Sequence, residues 1–146
     1  MTTPTDPARF LNDILQAFGC QTGTIHRTDS TGEHLDLVCQ TGVPEVLMEK
    51  ISRIPFGKGI AGVAAQSREP VELCNLQQDL GGVAKVDARK TGVAGSLAVP
   101  VISSAGQVLG TLGIGKYVPY DFSDAEKQRL ADHAAELAAL WDTAKQ

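Results

Sequence analysis

Apolar residues recur at helical spacing near both ends of the chain and alternate with polar residues in between, a pattern that predicts helices flanking a set of strands. Phe10, Leu11, Ile14, Leu15 and Phe18 form one stripe. It follows Asp6, a capping residue, and Pro7, a favoured first-turn residue, and it ends at Gly19. Residues 24–28 and 33–40 read as a hairpin about Asp29-Ser30-Thr31-Gly32. In the second arm Leu35, Leu37 and Cys39 alternate with His34, Asp36 and Val38, which predicts one buried face. After Gly42-Val43-Pro44, residues 45–52 read as a short helix with Val46, Leu47 and Ile51 inward.

This helix delivers the chain to Pro55-Phe56-Gly57-Lys58-Gly59-Ile60-Ala61-Gly62, where an extended approach must turn sharply into a helix of small residues over 60–66. A helix that opens on glycines presents free N–H groups at the positive end of its dipole, a seat for an anion or a carbonyl oxygen. Pro70 then opens a short strand over 71–74.

From 75 to 95 the periodicity disappears, glycines and charges accumulate, and the segment reads as a lid between strong strands. Residues 96–102 and 108–115 form the strongest strand pair, expected at the centre of an antiparallel sheet, with Pro100 implying a bulge or an unpaired side. Ser123-Asp124-Ala125-Glu126 is a capping box. Leu130, Ala134, Leu137 and Trp141 follow on one helical stripe, and Ala131, Ala135, Ala138 and Ala139 on a second. The small residues suit close helix packing, including packing on a second copy.

At 146 residues the chain fits one domain, expected over 7–144. Its charged fraction of 21% is that of a soluble protein, and neither a membrane-spanning run nor a signal-peptide core is visible, so a cytoplasmic location is expected. A net charge of −4 argues against nucleic acid as a partner. Between 49 and 90, however, Lys50, Arg53, Lys58, Arg68, Lys85, Arg89 and Lys90 outnumber Glu49, Glu69, Glu72, Asp79 and Asp87, which suits an anion. Cys20, Cys39 and Cys74 share no spacing of a disulfide framework or zinc site and read as reduced thiols. His26 and His34 have no second metal or haem ligand at a telling spacing and read as structural or surface residues. No metal and no cofactor is expected.

The order of elements resembles a GAF domain, the small-molecule-sensing relative of the PAS fold. The likeness is carried by residues 54–62, by Arg68-Glu69-Pro70-Val71, by residues 96–101 and 107–114, and by Phe122-Ser123-Asp124-Ala125-Glu126. The resemblance implies an α+β fold with a GAF/PAS-like antiparallel central sheet, the N- and C-terminal helices on one face and a ligand-covering lid on the other. Cyclic-nucleotide GAF domains carry an Asn-Lys, a Phe and an acidic pair; here the positions are Gly115, Lys116, Phe122 and Glu126, which implies a Lys116–Glu126 brace without the Asn. Bilin-binding relatives follow their cysteine with histidine, whereas Cys74 is followed by Asn75. Free methionine-R-sulfoxide reductases place a cysteine where this chain has Ala61, and an acidic residue near Ser96. Nitrate-binding GAF proteins resemble it in offering backbone N–H groups from a similar helix start.

The reading is a non-enzymatic sensory or regulatory domain that binds a small, anionic ligand between sheet and lid. Gly59, Ile60, Ala61 and Gly62 are expected to supply N–H donors, with Cys74 and Ser96 on the walls. Lys85 or Arg89 would close from the lid and Asp87 would hold one of them. The signal is expected to pass through a homodimer of the terminal helices or to a partner protein. The alternatives are a reductase-like enzyme using Cys74 and a ligand-free dimerisation module.

Overall fold

A computed structural model describes residues 6–73 and 93–144. In chain order these form α1 (Pro7–Phe18), β1 (Thr22–Thr28), β2 (His34–Thr41), a 3-10 turn (Glu45–Leu47), α2 (Met48–Ile51), β3 (Arg53–Pro55), α3 (Gly59–Ser67), β4 (Val71–Leu73), β5 (Gly95–Ile102), β6 (Val108–Lys116) and α4 (Asp124–Ala144). The strands make one six-stranded antiparallel sheet in the order β3-β2-β1-β6-β5-β4. The fold is α+β, as the resemblance implies. The central pair is β1–β6, so the strand pair over 96–102 and 108–115 is displaced by one position: the last strand inserts beside the first hairpin and pushes β5 toward the edge.

Helices α1 and α4 cover one face. Asp6 caps α1 through the Arg9 N–H, Gly19 ends it in the left-handed region, and the Phe10–Phe18 stripe is buried. At α4 the capping box forms: the Ser123 N–H donates to Glu126 Oε1 at 2.8 Å and the Glu126 N–H to Ser123 Oγ at 3.1 Å. Leu130, Ala134, Leu137 and Trp141 are buried with Ile25, Leu97, Val99 and Leu112 of the sheet. Gly110 lets the helix approach, since a Cβ there would lie 2.8 Å from Trp141 Cζ3. The two helices meet at His133, whose ring stands edge-on to Phe10 and Phe18.

Three local expectations are corrected. The second arm of the first hairpin does not bury one face throughout, because Ile25 pairs with Cys39 but His26 pairs with Leu37, leaving Val38 as the extra residue of a bulge. Leu35 is therefore buried on the cavity side, Cys39 packs on the helix-side core, and Val38 is 40% exposed. Residues 45–52 divide into a 3-10 turn and a short helix, which turns Val46 outward to 80% exposure. Around Pro100 the register with Thr111 is kept, and the irregularity falls between Val101 and Ile102.

The brace implied for Lys116 and Glu126 is not direct. Lys116 Nζ donates to the carbonyls of Phe18 and Gly19 at the end of α1, while Glu126 accepts from Tyr120 Oη and the Ser123 N–H. Each charge thus closes a helix terminus. Among the described residues no helix is long and apolar enough to cross a membrane.

Candidate functional site

The face of the sheet away from α1 and α4 is built by strand alternation. Thr22, Thr24 and His26 of β1, Ser96 and Ala98 of β5, and Gly113 and Gly115 of β6 share it, because cross-strand partners point the same way. Above this floor the chain from α2 to the start of α3 forms a wall, and between them lies a cavity of about 200 Å³. Its hydrocarbon lining includes Val43, Ile51, Ile54, Ile60 and Val93. Gly113 sits in the floor opposite Thr24 and Ala98, where an added Cβ would lie 3.3 Å from Thr24 Oγ1.

The start of α3 borders the same space. Gly57 and Gly59 adopt φ of 88° and 69°, the left-handed region that other residues enter only with strain. Between them Lys58 is extended and caps the helix without a side-chain hydrogen bond. The N–H groups of Gly59, Ile60 and Ala61 therefore begin a helix with no capping oxygen among the described residues, and Lys58 adds a positive charge beside them. Gly62 stands apart. Its N–H donates to the Lys58 carbonyl at 3.1 Å, and a Cβ there would meet Pro55 O at 2.6 Å, so it packs the turn and does not border the cavity.

Of the residues expected from sequence, Gly59, Ile60, Ala61 and Ser96 line the cavity together. Cys74, Lys85, Asp87 and Arg89 lie outside the described residues, as do residues 75–92 of the lid expected over 75–95, while Gly95 at its end opens β5. The cysteines within them, Cys20 and Cys39, are free and do not border the cavity. Burial pushes both thiols up to about 11, opposite to the activation a thiolate nucleophile needs.

Sequence reasoning missed His26. It is 1% exposed and borders the cavity. Its Nε2 lies 2.8 Å from the Ile51 carbonyl oxygen, which can only accept, so Nε2 carries the proton of that bond. Burial lowers the imidazole below its ordinary 6.5, outweighing the Ile51 hydrogen bond and the Asp36 charge, and the ring is neutral. Nδ1 is then a buried lone pair without a partner among the described residues, as is the Oγ1 of Thr111, its cross-strand partner. A buried acceptor left unmet costs about 1–3 kcal/mol. The available signal was the alternation Thr22, Thr24, His26, which puts a titratable group on a face otherwise of hydroxyls and glycines.

The model of the GAF domain family matches residues 2–140. Among solved structures the chain is similar to the GAF domain of an Acinetobacter phosphoenolpyruvate-protein phosphotransferase, at TM-score 0.79 and 20% identity over 99% of this chain and 86% of that one. It is similar to the corresponding domain from Coxiella burnetii, at 0.78 and 22% over 92% and 79%. It is also similar to the free methionine-R-sulfoxide reductase of Neisseria meningitidis in complex with its substrate, at 0.76 and 20% over 95% and 77%. At these identities the likeness establishes the fold. No curated protein matches by sequence. With the family model spanning nearly its whole length, the chain belongs to the GAF domain family of small-molecule-binding sensory and regulatory modules.

Proposed function

We propose that the cavity binds a small carboxylate with a short apolar body, as a sensory and not a catalytic site. The observation that carries this reading is the uncapped start of α3: Lys58, Gly59, Ile60 and Ala61 border a space that they share with the aliphatic Val43, Ile51, Ile54 and Val93 and the hydroxyl-bearing Thr22, Thr24 and Ser96. The helix start favours a negative head group. The aliphatic walls disfavour a fully hydrated polyanion, whose burial is costly without many donors, and favour a head group attached to hydrocarbon. A cavity of about 200 Å³ lies below the range of drug-sized ligand pockets and suits a ligand of a few carbons. Occupancy would be relayed through the sheet to α1 and α4, and from there to a second copy or a partner protein.

The test is a backbone NMR titration of the full chain with propionate, isobutyrate, nitrate and inorganic phosphate. Carboxylates are expected to shift the amides of Gly59, Ile60 and Ala61 and to bind more tightly than nitrate or phosphate. Lys58→Ala is expected to weaken them about two- to fivefold. If none of the four moves those amides, or if phosphate binds best, the reading fails.

A further inference from the structure

We propose that the cavity selects a small carboxylate whose body carries a second, uncharged oxygen, a hydroxyl or a carbonyl, held by the Thr24 hydroxyl on the sheet floor. The inference rests on the carboxylate reading above and adds the second polar group of the ligand.

The floor is laid out in cross-strand rows. Thr24 of β1, Gly113 of β6 and Ala98 of β5 form one row, and Thr22, Gly115 and Ser96 form the next. The middle strand brings no side chain to this face at either row, so a ligand can descend to its backbone between β1 and β5. At the second row Val93 already fills that space, since a Cβ on Gly115 would lie 2.7 Å from Val93 Cγ1. At the first row the space belongs to the cavity, which Thr24, Gly113 and Ala98 all border.

Threonine carries a hydroxyl and a methyl on one carbon, so either can be turned to a given side. Above Gly113 it is the hydroxyl that lies nearest: Thr24 Oγ1 is 3.3 Å from the position of an added Cβ, with Ala98 Cβ following at 3.9 Å. Thr22 does the same over Gly115, its Oγ1 lying 2.6 Å from the added Cβ. Both threonines of β1 thus turn their oxygens toward the glycine strand, and at Thr24 the oxygen adjoins the space that a ligand body would fill. A body of hydrocarbon alone would take water from that hydroxyl and return nothing. A second carboxylate would lose its hydration against a neutral group that gives one hydrogen bond, which does not offset the loss. A hydroxyl or carbonyl exchanges one bond to water for one to Oγ1, which can donate or accept. Ser96, one row along on β5, adds a further hydroxyl to the lining.

The experiment titrates the ¹⁵N-labelled full chain, as wild type, Thr24→Val and Thr24→Ser, with butyrate, with 2-, 3- and 4-hydroxybutyrate, with 4-oxopentanoate and with succinate. The oxygen positions scan the distance from head group to floor. Valine keeps the shape and strand preference of threonine and removes only the hydroxyl. In wild type one hydroxy or oxo acid is expected to bind about 3- to 10-fold more tightly than butyrate. That ratio should fall to about one in Thr24→Val and persist in Thr24→Ser. Taken within each variant, the ratio cancels any general effect of the substitution on the cavity. If butyrate shifts the Gly59–Ala61 amides but no oxygenated acid gains over it, the inference is overturned and the carboxylate reading stands. A preference that survives Thr24→Val overturns the role of Thr24, and succinate binding tightest overturns the uncharged class. If no acid shifts the amides, the carboxylate reading itself falls and this inference with it.

Discussion

His26 Nε2 donates to the carbonyl oxygen of Ile51 at 2.8 Å, which ties the central strand β1 to the last residue of α2. The bond satisfies one of the carbonyls that a helix leaves open at its C-terminus, and it holds the neutral ring against the cavity. His26 is thus tied to α2 at one nitrogen, while the other is buried without a partner among the described residues.

Because burial holds the folded-state pKa of His26 below its ordinary 6.5, the unfolded chain binds a proton here that the folded chain refuses. Stability should therefore fall as pH drops through 6.5 and level off below the folded pKa, with a slope from this group of up to about 1.4 kcal/mol per pH unit. Urea unfolding of wild type and His26→Phe across pH 8 to 5 checks it, since the two variants should differ in slope. Identical slopes would contradict a neutral buried ring.

Asp29 governs the first hairpin turn. Its Oδ1 accepts from Thr31 Oγ1 and from the N–H groups of Gly32, Glu33 and His34, and its Oδ2 pairs with Arg53 at 2.7 Å. Burial opposes its ionisation. The Thr31 hydroxyl, the His34 and Glu33 N–H groups and the Arg53 charge outweigh it and bring the carboxyl from 3.8 to about 2. The stabilisation is present above the unfolded value of 3.8 and is lost as pH falls through about 2. Asp29→Asn should be less stable at neutral pH and should flatten the acid limb of the unfolding curve. Acid unfolding followed by circular dichroism reads both effects.

Much of this architecture is legible in the sequence because its signals are local. The Phe10–Phe18 stripe, the Ser123–Glu126 capping box and the glycines about Lys58 each declare their geometry within a few residues. The bulge at Val38 was not legible, because inserting one residue depends on the register of β1 against β2 and leaves the alternating pattern of β2 intact. Nor was the place of His26 in the cavity, which depends on the pairing of β1 with β6, whose paired residues lie more than eighty positions apart. The sharp turn into α3 could be read from its glycines. The place of His26 beside it required the sheet.

Gly113 tests whether the cavity is where ligand binds. It lies in regular strand pairing between Thr24 and Ala98, so a methyl group there is compatible with the backbone and occupies the cavity floor. Gly113→Ala should change stability by less than about 1 kcal/mol yet weaken carboxylate binding roughly tenfold or more. Calorimetric titration beside thermal unfolding separates the two. Unchanged affinity would remove the cavity from the binding reading.

Glu72 connects the sheet edge to the C-terminal helix. Its Oε2 accepts the Phe122 N–H at 2.7 Å, and its Oε1 pairs with Lys127 Nζ at 2.8 Å. Glu72 pairs with Leu97 of β5, whose side chain lies in the core beneath α4, so Glu72 shares the helix-side face of the sheet and reaches from its edge to the first turn of α4. Glu72→Ala should leave the Phe122 N–H without its acceptor, at a cost of about 1–3 kcal/mol if no water replaces it. The loss should be local. Hydrogen exchange should rise at Phe122 and across residues 123–127 while Leu130 to Trp141, packed in the core, keep their protection. If exchange rises uniformly along α4, the contact is a global brace. If it does not rise at all, Glu72 is not what holds the start of the helix to the sheet.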